Sequence, residues 1–279
     1  MRELTGKVVV VTGAASGIGR EMALAFARRG ARLAVADIDA DGLERVHGEL
    51  ESLGTTVYAQ VVDVSIAADV DDLCSNVYRE MGRVDILCNN AGVAVGGWME
   101  DMSLDDWKWV LAPNLWGVIY GCHYFYPRMI EQGGGGHIVN TASGAGLLPL
   151  PATISYNTSK FAVVGFSETL RAEAALHGIG VSAVCPGFVA TNVVRNARVV
   201  SGTQRSSPEE LKQRFMRFFE RRNYTPDRVA AAVVKGVERN TGVIVVGPET
   251  RLGDISMRLS RGLIDIVMRY ANRLMRKYV

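Results

Sequence analysis

The chain has 279 residues, 48% of them apolar and 22% charged, which is enough for a sizeable core and unlike a disordered composition. With 31 basic and 29 acidic side chains the net charge is +2, so a dedicated nucleic-acid binder is not expected. Four scattered cysteines without a Cys-x-x-Cys pair suggest neither a disulfide framework nor a zinc site; a cytoplasmic setting follows, and no metal is expected.

In chain order, strands and helices alternate. Lys7–Thr12 is a β-branched run ending in glycine and reads as a strand; it is too short an apolar run for a signal peptide. Ser16–Gly30 carries Ile18, Met22, Ala25 and Phe26 at helical spacing. Arg32–Asp37 is a strand, Ala40–Leu53 a helix ended by Gly54, Thr56–Val62 a strand, Ile66–Met81 a helix and Val84–Cys88 a strand. Leu104–Ile130 reads as helix interrupted at Pro113, His137–Ala142 as strand, Ser155–His177 as helix and Val181–Cys185 as strand. A polar stretch from about 191 to 224 is expected to form a lid, followed by helix Asp227–Arg239, strand Val243–Val246 and a helical tail. The uncharged stretches Trp109–Pro127 and Gln132–Ser159 contain Asn, Ser and Pro and read as core or interface rather than membrane spans, as do Trp98, Trp107 and Phe125.

Continuous apolar strands joined through helices predict right-handed βαβ units. The expectation is one doubly wound, Rossmann-like α/β domain with a seven-stranded parallel sheet over residues 1–250, plus a C-terminal extension over 251–279.

The first strand runs into Gly13-Ala-Ala-Ser16-Gly17-Ile18-Gly19. Small residues there let the backbone approach a pyrophosphate, while the following helix offers free N–H groups and its positive end. Asp37 ends the second strand, 18 residues beyond Gly19, where a carboxylate can accept from both hydroxyls of an adenosine ribose. It would repel a 2′-phosphate, and neither Ser16 nor Ile38 is a cation that could offset this, so NAD is expected over NADP. Asp37 can also be read as a loop cap beside Asp39 and Asp41.

These segments, with Asp63-Val64, Asn89-Asn90-Ala91-Gly92, Asn114, Ser143, Tyr156-x-x-x-Lys160, Pro186-Gly187 and Thr191, come in an order that resembles the short-chain dehydrogenase/reductase family. The resemblance runs from Lys7 to about Gly247. It implies that Asp63 and Val64 flank an adenine, that Asn90, Ala91 and Gly92 form the floor of the site near the ribose, and that Pro186, Gly187, Val189 and Thr191 hold a nicotinamide. It also implies that the Asn114 carbonyl holds a water leading to Lys160, and that helices Leu104–Ile130 and Ser155–His177 build a homodimer or homotetramer.

Carbonyl–alcohol interconversion needs a proton carrier beside the hydride path, and an ordinary tyrosine is a poor base at neutral pH. Tyr156 and Lys160 are four apart on a predicted helix, so a nearby ammonium is expected to lower the tyrosine pKa. Ser143 can hydrogen-bond the substrate oxygen. The expected pocket is apolar: Val93, Val95, Leu147, Leu148, Pro149 and Phe188, with Phe215, Met216, Phe218 and Phe219 in the lid. A hydrophobic alcohol or ketone, such as a sterol, a retinoid or a long-chain or cyclic alcohol, is the expected substrate. A non-catalytic NAD-binding sensor and an NADP-linked reductase are the competing readings.

The small net charge hides an asymmetry. Residues 251–279 hold seven basic and two acidic side chains, leaving the rest of the chain at −3. On one helical wheel Ile255, Leu259, Leu263, Ile266, Tyr270 and Leu274 form a stripe with the arginines largely elsewhere. Two readings stay open: a basic amphipathic helix on an anionic membrane, or a helix packed on the domain or on a neighbouring subunit.

Overall fold

The structure, a computed structural model, describes residues 3–189, 197–200 and 224–278. Seven parallel strands form the main sheet: β1 (Val8–Thr12), β2 (Arg32–Asp37), β3 (Val57–Val61), β4 (Ile86–Asn89), β6 (Gly136–Thr141), β7 (Ile179–Pro186) and β9 (Val243–Val246), in the order β3-β2-β1-β4-β6-β7-β9. The sequence of β1 shows why the sheet is buried on both faces. Val9 and Val11 point into one core with α1 (Gly17–Ala27), α2 (Ala40–Ser52) and α7 (Pro226–Arg239). Val8 and Val10 point into the other with α3 (Ala67–Met81), α5 (Gly117–Glu131) and α6 (Ile154–Ala174). The two edge strands are the exceptions: β3 is only partly buried along its length and β9 is buried at alternate residues.

Local chemistry sets several boundaries. Asp39 caps α2 by accepting from the Gly42 N–H at 3.0 Å. Ser103 and Asp106 form a reciprocal capping box at the start of α4 (Leu104–Leu111). The expected interruption at Pro113 is a π-turn over Ala112–Trp116 that joins α4 to α5, because proline supplies no N–H to the ordinary ladder. Two short strands were not foreseen: β5 (Val95–Gly96) and β8 (Arg198–Val199), which pair in parallel.

The tail departs from the single-helix expectation. It folds as α8 (Pro248–Leu259) and α9 (Arg261–Tyr278), broken at Ser260, which is extended (φ −158°). The boundary expected at residue 250 therefore falls inside α8, where Thr250 is buried. No helix among the described residues is long and apolar enough to cross a membrane.

Candidate active site

Strand order reverses between β1 and β4, and at such a switch point the carboxyl ends of parallel strands open a crevice. The loop after β1 lies there. Gly13 has φ +66°, and a Cβ on it would stand 2.7 Å from the Ala91 Cα; a Cβ on Gly19 would stand 2.0 Å from the Gly13 carbonyl oxygen. Only glycine permits both approaches. Thr12 locks the loop to the floor: its Oγ1 accepts from the Asn90 N–H at 3.0 Å and the Ala91 N–H at 3.2 Å. The Asn90 amide donates to the Thr12 carbonyl at 3.0 Å, and its Oδ1 accepts from Thr141 at 3.2 Å. Asn90 thus braces the loop through its side chain. Thr12 and Thr141 were not singled out as site residues, although a hydroxyl at the end of an apolar strand was the available signal.

The donor set fits a dinucleotide. Helix α1 starts at Gly17 (φ +54°), has no acidic side chain in its first turn, and its N-cap Ser16 makes no capping hydrogen bond. The Asp37 carboxylate accepts from the Ala15 N–H at 2.8 Å and from the Asp39 N–H at 3.0 Å. It therefore caps the loop, and its remaining lone pairs are still able to accept two hydroxyls. Ile38 beside it is largely exposed. Asp63 accepts from the Ser65 N–H at 2.9 Å and Ser65 hydroxyl at 2.7 Å, shaping its turn, while Val64 packs against Gly117.

The proton-handling residues converge from separate elements. Ser143 follows β6, its Oγ accepts from the Ala145 N–H at 3.1 Å, and it is hydrogen-bonded to the Tyr156 phenol. Tyr156 and Lys160 lie on α6. The buried Lys160 ammonium donates to the Thr141 carbonyl at 2.9 Å and sits over the Tyr156 ring, 5.7 Å from its centroid. Burial pulls the Lys160 ammonium down to about 8.

Tyr156 corrects the sequence expectation. Burial pushes its phenol above the ordinary value, and the Ser143 hydrogen bond only partly opposes that. The lysine does not reverse the shift because it stands over the ring face, bonded to a carbonyl.

Asn114 is fully buried at the π-turn. Its Oδ1 accepts from the Val93 N–H at 2.8 Å, and its Nδ2 donates to the Val93 carbonyl at 2.9 Å and the Ser159 hydroxyl at 3.2 Å. Its side chain therefore ties α6 to the segment after β4. Asn157, which was not foreseen, donates to the Leu148 carbonyl at 2.7 Å and holds the loop after Ser143.

Beyond β7, the Gly187 N–H bonds the Val246 carbonyl at 2.8 Å and Val189 is packed into the core. Thr191, most of the lid over 191–224, and Phe215, Met216, Phe218 and Phe219 lie outside the described residues. Of the expected pocket residues, Val95 is buried, Leu147 packs against the core and Leu148 packs on Gly253 of α8. Trp98 and Trp109 are half-buried and each faces an arginine: Arg276 lies 4.4 Å and Arg198 3.9 Å from the respective ring.

The short chain dehydrogenase family matches residues 7–200. The chain is 41% identical over 243 residues to EphD of Mycobacterium tuberculosis, named an oxidoreductase; the match covers 87% of this chain but 41% of that protein, so the chain spans about two fifths of that relative's length. It is 38% identical over 263 residues to SadH of the same organism, also named an oxidoreductase, covering 93% of this chain and 92% of SadH. A crystal structure of a short-chain dehydrogenase/reductase from Burkholderia phymatum in complex with NAD superposes with a TM-score of 0.84 at 35% identity, covering 93% of this chain and 96% of that one.

Proposed function

The chain belongs to the short-chain dehydrogenase/reductase family of oxidoreductases, and we propose that it interconverts a hydrophobic alcohol and its carbonyl compound with NAD as cofactor. The observation that carries this reading is the meeting of Ser143, Tyr156 and Lys160 at the carboxyl end of β6. When bound, the nicotinamide supplies the hydride acceptor or donor. Tyr156 takes the proton from the alcohol or returns it to the carbonyl oxygen. Ser143 hydrogen-bonds the same oxygen as charge develops there. Lys160, bonded to the Thr141 carbonyl and lying over the Tyr156 ring, positions the tyrosine beside Ser143.

Asp37 supports NAD over NADP, because a 2′-phosphate would meet a carboxylate already fixed in place by two backbone N–H groups. The half-buried Val93 and Phe188 beside the motifs support an apolar substrate. Exposed Leu104, Trp116 and Phe161 on α4, the π-turn and α6 support self-association through these helices.

The test is turnover of long-chain and cyclic alcohols, polyols and charged sugars with NAD and NADP, in the parent and Tyr156→Phe. NAD-linked oxidation of the apolar alcohols is expected. Tyr156→Phe should lose about 100- to 10,000-fold in kcat while still binding NADH by fluorescence. Turnover surviving in Tyr156→Phe overturns the mechanism; activity confined to polyols or sugars overturns the substrate class.

A further inference from the structure

The two C-terminal helices carry apolar side chains on the wrong side for a soluble domain. On α8, Thr250, Gly253 and Met257 face the body: Thr250 is buried, Gly253 meets Leu148, and Met257 lines a cavity of about 390 Å³ with Pro149 and Pro151. At 100° per residue, Leu252, Ile255 and Leu259 emerge on the opposite side, and they are 68%, 54% and 81% exposed. On α9, Ile264 is buried and Met268 and Asn272 line the same cavity, while Leu263, Ile266, Val267 and Tyr270 are exposed, Ile266 to 66%. An ordinary surface helix would bury such a stripe.

Charge decides what fits this face. Arginines 251, 258, 261, 269, 273 and 276 are all exposed, and from 251 onward only Asp254 and Asp265 oppose them. Arg258 pairs with Asp254 and Arg269 with Asp265, which uses up both acids. A second copy meeting this face would bring an equally basic segment against it, and like charges would repel. An anionic bilayer offers both the apolar interior and the opposite charge. Neither helix can cross it, so the pair would lie in the plane of the interface.

We propose that α8 and α9 form an interfacial membrane-docking surface, with Leu252, Ile255, Leu259, Leu263 and Ile266 entering the acyl boundary and the flanking arginines held at anionic headgroups. Helix α9 is anchored to the segment after β5, since Arg276 pairs with Glu100 at 2.6 Å and stacks on Trp98.

The test is sedimentation of the full chain with vesicles of phosphatidylcholine alone and of phosphatidylcholine mixed with phosphatidylglycerol. Binding only to the anionic vesicles, weakened by salt, is the expected result. Leu259→Asp with Ile266→Asp should abolish it while circular dichroism and the mass by light scattering stay unchanged. If that variant misfolds, Arg269→Gln with Arg273→Gln carries the test, and its binding should fall about 25-fold, at about fivefold per cation. No binding to either vesicle, equal binding to both, or a fall in oligomeric mass in the aspartate variant overturns the proposal; the last result would mean that a second copy covers the face.

Discussion

A buried ammonium is costly unless something holds its proton, and among the described residues the Thr141 carbonyl accepts from Lys160. Because burial lowers its pKa from 10.5 to about 8, the folded chain binds that proton less tightly than the unfolded one. Stability tied to this group is thus present above 10.5 and lost as pH falls through 8. Stability of the cofactor-free parent should rise by about 3 kcal/mol between pH 8 and 10.5 relative to Lys160→Met, whose side chain cannot titrate. Urea unfolding of both at matched pH measures it, and parallel pH curves would refute it. The i, i+4 spacing placed Tyr156 and Lys160 on one face from sequence alone. The direction of the Tyr156 shift was not legible, because it depends on burial and on where the ammonium stops, and both are made by β6 and the loop after it.

At the scale of elements, α5 and β4 meet through a polar contact inside an apolar layer. The Asn89 amide donates to Asn140 Oδ1 at 2.9 Å, and the Asn140 amide donates to the Ser167 hydroxyl at 3.0 Å. Gly121 on α5 leaves the room: a Cβ there would stand 2.1 Å from Asn89 Oδ1. Gly121→Ala should therefore cost about 2–4 kcal/mol in urea unfolding, the sum of overpacking and a broken buried network, despite alanine's better helix propensity. A neutral result would show that the helix shifts to make space. Periodicity identified both elements. It did not reveal the network, since Asn140 and Ser167 look like isolated polar interruptions until the strand and helices are packed. The π-turn is a similar case. Pro113 announced a break, but the form of the break, which aims Asn114 at Val93 and Ser159, comes from α4 and α5 packing against the same domain.

For the whole molecule, the tail is packed onto the body of the domain. Ile264 is buried, Met268 and Asn272 line the cavity beside Pro149 and Pro151, and Arg276 holds the segment around Trp98 and Glu100. Ending the chain after Ser260 should lower stability by about 2–4 kcal/mol from lost apolar burial. Urea unfolding of the shortened and full chains measures it, and equal midpoints would refute it. The succession of strands and helices along the chain, the phosphate loop and the shared face of Tyr156 and Lys160 were determined by the sequence itself, since alternating apolar periods and short-range spacings are local properties of a chain. The break at Ser260, the outward-facing apolar stripe and the upward shift of Tyr156 were decided only by tertiary structure. Each depends on which surfaces remain for a segment to pack against once the sheet has closed, and residues distant in sequence supply those surfaces.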